Sequence, residues 1–131
     1  MDLQSTSGAA NQTFKNAIKN LSGEMQICID NCMTCHQVCT VTLSHCFNKV
    51  GEHVQADHLK SLIDCAQICT VSADFMSRES NLHPSVCAVC AEACLACAES
   101  CEKFANDEVM KNCAEMCRSC ADSCKQMAAK H

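Results

Sequence analysis

Tryptophan and tyrosine are absent, phenylalanine occurs four times in 131 residues, and glycine and proline together occur four times. A core of aromatic side chains is thereby excluded. So few turn-forming residues mean long elements, and the chain should be mostly helical. No apolar run approaches the ~20 residues that a membrane span requires, so the expectation is a soluble protein. The net charge of −5 comes without a basic patch, so neither nucleic acid nor a membrane surface is an expected partner. The opening MDLQSTSGAANQTF lacks the basic and apolar regions and the twin arginine of an export signal, which makes the cytoplasm the expected location. Thiols stay reduced there, and a disulfide framework is disfavoured.

What is present is cysteine, sixteen residues of it. Cys28, Cys32, Cys35, Cys39 and Cys46 are spaced four, three, four and seven apart. At about 100° of rotation per helical residue they project within a sector of roughly 60°. The pattern recurs with Cys65 and Cys69, followed seven residues later by Met76. It recurs again with Cys87, Cys90, Cys94, Cys97 and Cys101, and with Cys113, Cys117, Cys120 and Cys124. Two of these stretches, AVCAEACLACAESC and KNCAEMCRSCADSC, are near-repeats, which suggests an internally related helical unit.

These stripes, with their breaks, predict an all-α chain. Residues 1–10 read as a disordered lead-in and residues 11–131 as a single domain. A short amphipathic helix is expected at about 11–21, then four long helices at about 23–49, 53–79, 84–105 and 107–128. Ser22 and Gly23 mark the first break, Gly51 a C-terminal cap, Pro84 a first helical residue, and Asn106 or Asp107 an N-cap. Short connections force neighbouring helices antiparallel, giving an up-down-up-down four-helix bundle.

Buried cysteine is a small hydrophobe, and an apolar stripe is usually core. Sixteen of them are too many for that account, because a bundle filled with leucine and isoleucine would bury more apolar area. Leu62, Ala66, Ala73, Ala91 and Ala98 flank the stripes and hold the metal-free bundle together. Disulfide scaffolds place cysteine in loops, whereas these follow helical phase throughout. Thiolates are ligands for soft metals. Four-thiolate zinc sites would bury about eight uncompensated charges, with no lysine or arginine in the stripes to offset them. Cu(I) bridged by thiolates, one ion per sulfur, carries no net charge. Seven pairs four residues apart could each hold an ion in near-linear coordination: 28/32, 35/39, 65/69, 90/94, 97/101, 113/117 and 120/124. Cys46 and Cys87 are left to bond across helices.

Thioether and imidazole bind Cu(I) without losing a proton. In the expected bundle, Met25, Met76, His83 and Met127 gather at one end, and Cys46, His58 and Met110 at the other. Either end could admit metal, and the first is favoured because four candidates converge there. His36 flanks the stripe as a weaker candidate, while His45 and His53 project away from it or into the loop.

This combination of four cysteine-striped helices, repeated C-x-x-x-C pairs, a short leading helix and no export signal resembles the bacterial copper storage proteins, specifically their cytosolic branch. The match covers about residues 11–128. The resemblance implies a tetramer of four-helix bundles, each storing many Cu(I) ions along its core, with the sixteen cysteines as ligands. The second helix departs from the pattern, having only Cys65 and Cys69.

Two other classes compete with a store that has no enzymatic turnover. A thiol redox protein could use Cys87 and Cys90 near a helix N-terminus, but the βαβ context is missing. A copper chaperone would carry few, exposed ligands. Iron–sulfur clusters want four thiolates gathered compactly, which a continuous stripe does not supply.

Overall fold

The structure is a computed structural model that describes residues 12, 13, 15, 16 and 21–130. Most of the short helix expected at 11–21 lies outside the described residues, although residues 12, 13, 15 and 16 are helical. Four long helices follow: α1 (Gly23–Phe47), α2 (Ala56–Ser77), α3 (His83–Glu102) and α4 (Glu108–Ala128). No strand occurs among the described residues.

Local chemistry sets each boundary. The Ser22 hydroxyl accepts from the Met25 N–H at 3.1 Å and starts α1, as its position in the sequence suggests. α1 ends at Phe47, two residues short of the expected 49. Gly51, with φ of 77°, opens a separate 3-10 turn, Gly51–Val54, instead of capping the helix directly. This turn and the extended Gln55 delay α2 to Ala56. α2 closes through Glu79, a non-glycine residue at φ 50°, with the Ser80 N–H reaching the Phe75 carbonyl at 2.9 Å. Pro84 sits in the first turn of α3, which ends at Glu102, three residues short of the expected 105. The Asp107 carboxylate accepts from the Val109 and Met110 N–H groups and caps α4.

Each helix packs on two neighbours, α1 on α2 and α4, α3 on α2 and α4, and the diagonal pairs stay apart. This is the square section of an up-down-up-down bundle. One sequence expectation is corrected here: α3 is long and apolar enough, at a mean hydropathy of 1.3, to span a membrane by length and composition. Its hydropathy comes largely from cysteine and alanine, and Cys87, Cys90, Ala91, Cys94, Cys97, Ala98 and Cys101 are buried inside the bundle.

Candidate metal centre

All sixteen cysteines are buried at 0% exposure, and all are free thiols. Leu62, Ala66, Ala73, Ala91 and Ala98 are buried around them, as the flanking pattern suggests. The axis of the bundle is therefore a column of sulfur sheathed in small aliphatic groups.

The sulfur neighbours are mainly across helices. Among the pairs four apart, Cys35–Cys39 lies at 3.9 Å, and Cys90–Cys94 and Cys120–Cys124 at 4.0 Å. Closer contacts join different helices, such as Cys28–Cys124 and Cys32–Cys124 at 3.6 Å between α1 and α4, and Cys65–Cys94 at 3.6 Å between α2 and α3. Cys65–Cys117 and Cys69–Cys120, both at 3.9 Å, join α2 to α4 across the diagonal, where the backbones do not meet. Although α2 carries only two cysteines, both lie at the centre of this network.

The column is built in layers. Cys32, Cys69, Cys90 and Cys120, one from each helix, have their sulfurs within 4.8 Å of one another. So do Cys35, Cys69, Cys94 and Cys120, then Cys35, Cys39, Cys65 and Cys117, then Cys39, Cys97, Cys113 and Cys117, with Cys28, Cys32 and Cys124 closing the series. The expectation that no compact foursomes form is thus corrected, because antiparallel helices bring sulfurs to the same height, one from each helix in the first two foursomes and from three helices in the others. The layers are not separate sites, since successive layers share members such as Cys69 and Cys120. Two sulfurs on one ion at about 2.3 Å lie roughly 3.8 Å apart in tetrahedral and 4.6 Å apart in linear coordination. The sulfur separations already match, so metal can enter by side-chain rotation without moving the backbone.

Burial and thiol–thiol contacts set the protonation of the column. Cys117 is pushed above the usual thiol range, first by Cys113, while its neighbour Cys65 is drawn below it, first by Cys117. Burial disfavours the charged thiolate throughout, so an ion that binds these sulfurs must displace thiol protons.

The two ends differ. At one, Cys46 Sγ lies 3.4 Å from His58 Nε2 and 3.7 Å from Met110 Sδ, so three candidate ligands are in direct contact. The Ser100 hydroxyl fixes the other His58 nitrogen at 2.7 Å. Burial pushes the Cys46 thiol up to about 11, helped by Asp107, and burial lowers the His58 pKa, favouring the neutral ring. A cleft of about 250 Å³ lined by Glu52, Asp57, His58, Ser100 and Phe104 leads to this set. At the other end Met76 and Met127 are fully buried, while Met25 and His83 are half-buried beside a cleft of about 350 Å³. The His83 Nδ1 is buried without a hydrogen-bond partner among the described residues, while the His83 side chain acts on the Cys87 thiol. The preference that four converging candidates gave the first end is thereby weakened, because direct contact among donors is seen at the second.

His36 is held by the Ala66 carbonyl at 2.8 Å and ties α1 to α2. His45 and His53, read as pointing away or into the loop, converge on Asp107 at 2.7 and 2.9 Å. The sequence offered one signal for this, two histidines eight apart around Gly51.

The sequence profile of the copper storage proteins matches residues 21–129. The structure is similar to that of the Nmul_A1745 protein of Nitrosospira multiformis, at 44% identity and a TM-score of 0.77, covering 82% of this chain and 97% of that one. It is similar to the Cu(I)-bound copper storage protein BsCsp3 of Bacillus subtilis, at 29% identity and a TM-score of 0.76, covering 81% and 99%. It is also similar to a cytosolic copper storage protein from Streptomyces lividans holding five coppers, at 32% identity and a TM-score of 0.76, covering 82% and 94%. A sulfur column of this kind, on this bundle and with this profile, leaves one assignment: the chain belongs to the copper storage protein family.

Proposed function

We propose that this chain stores many Cu(I) ions along its axis through the thiolates of Cys28 to Cys124, as a store and not as an enzyme. The continuous column of overlapping thiol layers carries the reading. Its chemistry favours Cu(I) over zinc because sixteen thiolates filled one-for-one with Cu(I) are neutral, whereas isolated four-thiolate zinc sites accumulate buried negative charge. Layers that share sulfurs also suit bridging thiolates better than separate iron–sulfur clusters.

Cys46, His58 and Met110 serve in this reading as the first ligands met by incoming copper, a set assembled before metal arrives. Met25, Met76, His83 and Met127 are the weaker, outlying candidates at the opposite end. A cytoplasmic location is supported by the Streptomyces relative, described as cytosolic. Assembly of several bundles, a tetramer by family resemblance, is supported by the exposed Ile27, Val41, Phe47, Val50 and Leu82.

An anaerobic titration of the reduced protein with Cu(I), against a chromophoric chelator and with thiols counted in parallel, tests the proposal. The expected plateau is near or above one Cu(I) per cysteine. A plateau at one or two ions would replace storage with a chaperone or redox role.

A further inference from the structure

Outside the sulfur column, one cluster of metal-binding side chains is unexplained by copper storage. His45 in the last turn of α1 and His53 in the 3-10 turn both direct Nε2 at the same oxygen of Asp107, at 2.7 and 2.9 Å. The side chains are 23%, 19% and 17% exposed respectively, so water reaches the cluster without flooding it. The other Asp107 oxygen is fixed by the Val109 and Met110 N–H groups, which orients the carboxylate. Phe104 packs on the His53 ring at 4.2 Å and limits its rotation. Two imidazole nitrogens and the carboxylate oxygen they share are therefore brought together from three separate segments.

We infer that His45, His53 and Asp107 form a second metal site, for a divalent cation of intermediate softness such as zinc(II), separate from the thiol column. Two imidazoles and a carboxylate suit such an ion, whereas Cu(I) is better served by the sulfurs beneath. An ion would have to enter between the three donors, with the two imidazole rings, whose centroids are 6.0 Å apart, turning their Nε2 atoms from the carboxylate oxygen toward it. Ligands on a tetrahedral zinc at about 2.0–2.1 Å lie roughly 3.3 Å apart, so the two N···O distances need only widen by about half an ångström. The protons now on Nε2 move to Nδ1, which has no hydrogen-bond partner on either ring among the described residues, so none need leave the rings. Water takes the fourth position. An ion here pins the end of α1, the linker and the start of α4 together beside Cys46.

The test uses the whole chain, first saturated anaerobically with Cu(I) so that the thiolates are occupied and copper capacity is recorded in the same sample. Zinc is then added, and retention after dialysis and the zinc K-edge spectrum are read. The expected result is one zinc per chain with nitrogen and oxygen neighbours and no sulfur. In the double variant His45→Gln/His53→Gln, zinc binding should weaken by at least about tenfold with Cu(I) capacity unchanged. Zinc bound through sulfur, zinc held equally well by the double variant, or no zinc retained by the parent would overturn the site. Should the double variant fail to fold by circular dichroism, His53→Gln alone, altered only on the linker turn, gives the same reading.

Discussion

The two ends of the bundle use the same kinds of soft donor and arrange them differently. At the α1–α2 turn, Cys46, His58 and Met110 touch, and the imidazole is oriented by Ser100. At the α2–α3 turn, Met76 and Met127 are buried, Met25 and His83 are half-buried, and the His83 Nδ1 has no hydrogen-bond partner among the described residues. Composition alone favours the second of these ends, with four donors against three. Contact favours the first, because an ion gains most from ligands whose ordering cost has already been met in folding.

Filling the column should erase the difference. Metal bound only by the folded state adds about 4 kcal/mol per site at a thousandfold excess over its dissociation constant, and many sites act together. The copper-loaded protein should therefore melt at least about 20 °C above the metal-free form, which itself should be folded and helical. An unfolded metal-free chain by circular dichroism would refute this.

Rates separate the ends more sharply. Cys46→Ser with His58→Gln should slow Cu(I) transfer from a chelated donor on the order of tenfold, about 1.4 kcal/mol in barrier. Met25→Leu with His83→Gln should leave the rate within about twofold. The opposite ranking in stopped-flow traces would move the port to the α2–α3 end. Because the Cys46 thiol sits at about 11, copper must displace its proton, and uptake should strengthen as pH rises.

Asp107 stiffens the contact end in the absence of copper. Its partial burial raises its pKa, but hydrogen bonds from His45, His53 and the Met110 N–H outweigh that and hold the carboxyl well below its usual range. A carboxylate whose native pKa lies below its unfolded value stabilises the fold above the unfolded value and loses that contribution as pH falls through the native one. Asp107→Asn should therefore cost about 1 kcal/mol at neutral pH, after allowance for solvent screening. That gap should begin to narrow in urea melts below about pH 4 and keep shrinking as the pH falls toward the native value.

The smallest effect lies at the other end. Glu79 is a non-glycine residue held in the left-handed region, so Glu79→Gly should stabilise the metal-free protein by about 0.5–1 kcal/mol, read as a higher urea midpoint. A loss of stability there would show that the Glu79 side chain contributes more than its backbone strain costs.

Much of this was legible in the sequence, and the physical reason is helical phase. The four-three-four spacing of Cys28, Cys32, Cys35 and Cys39 places them on one face whatever the neighbours do, so the helices and the inward thiols followed directly. Spacing within one helix says nothing of axial stagger between helices, so the layer of Cys32, Cys69, Cys90 and Cys120 was hidden behind the pairs four apart. The turn at Gly51–Val54 was also missed, because Gly51 reads equally as a helix cap and as the start of a 3-10 turn. The cluster of His45, His53 and Asp107 escaped notice because its carboxylate comes from the far side of the chain and was read only as a helix cap.

Shared membership means that the sulfur layers do not offer an ion separate addresses. Cys69 and Cys120 belong to two adjoining foursomes, and Cys39 and Cys117 to the next two. In the storage reading, an ion would take a sulfur from the next layer before releasing one behind it, passing along the layered part of the axis without standing bare. On that reading the atoms that hold the cargo also form its road.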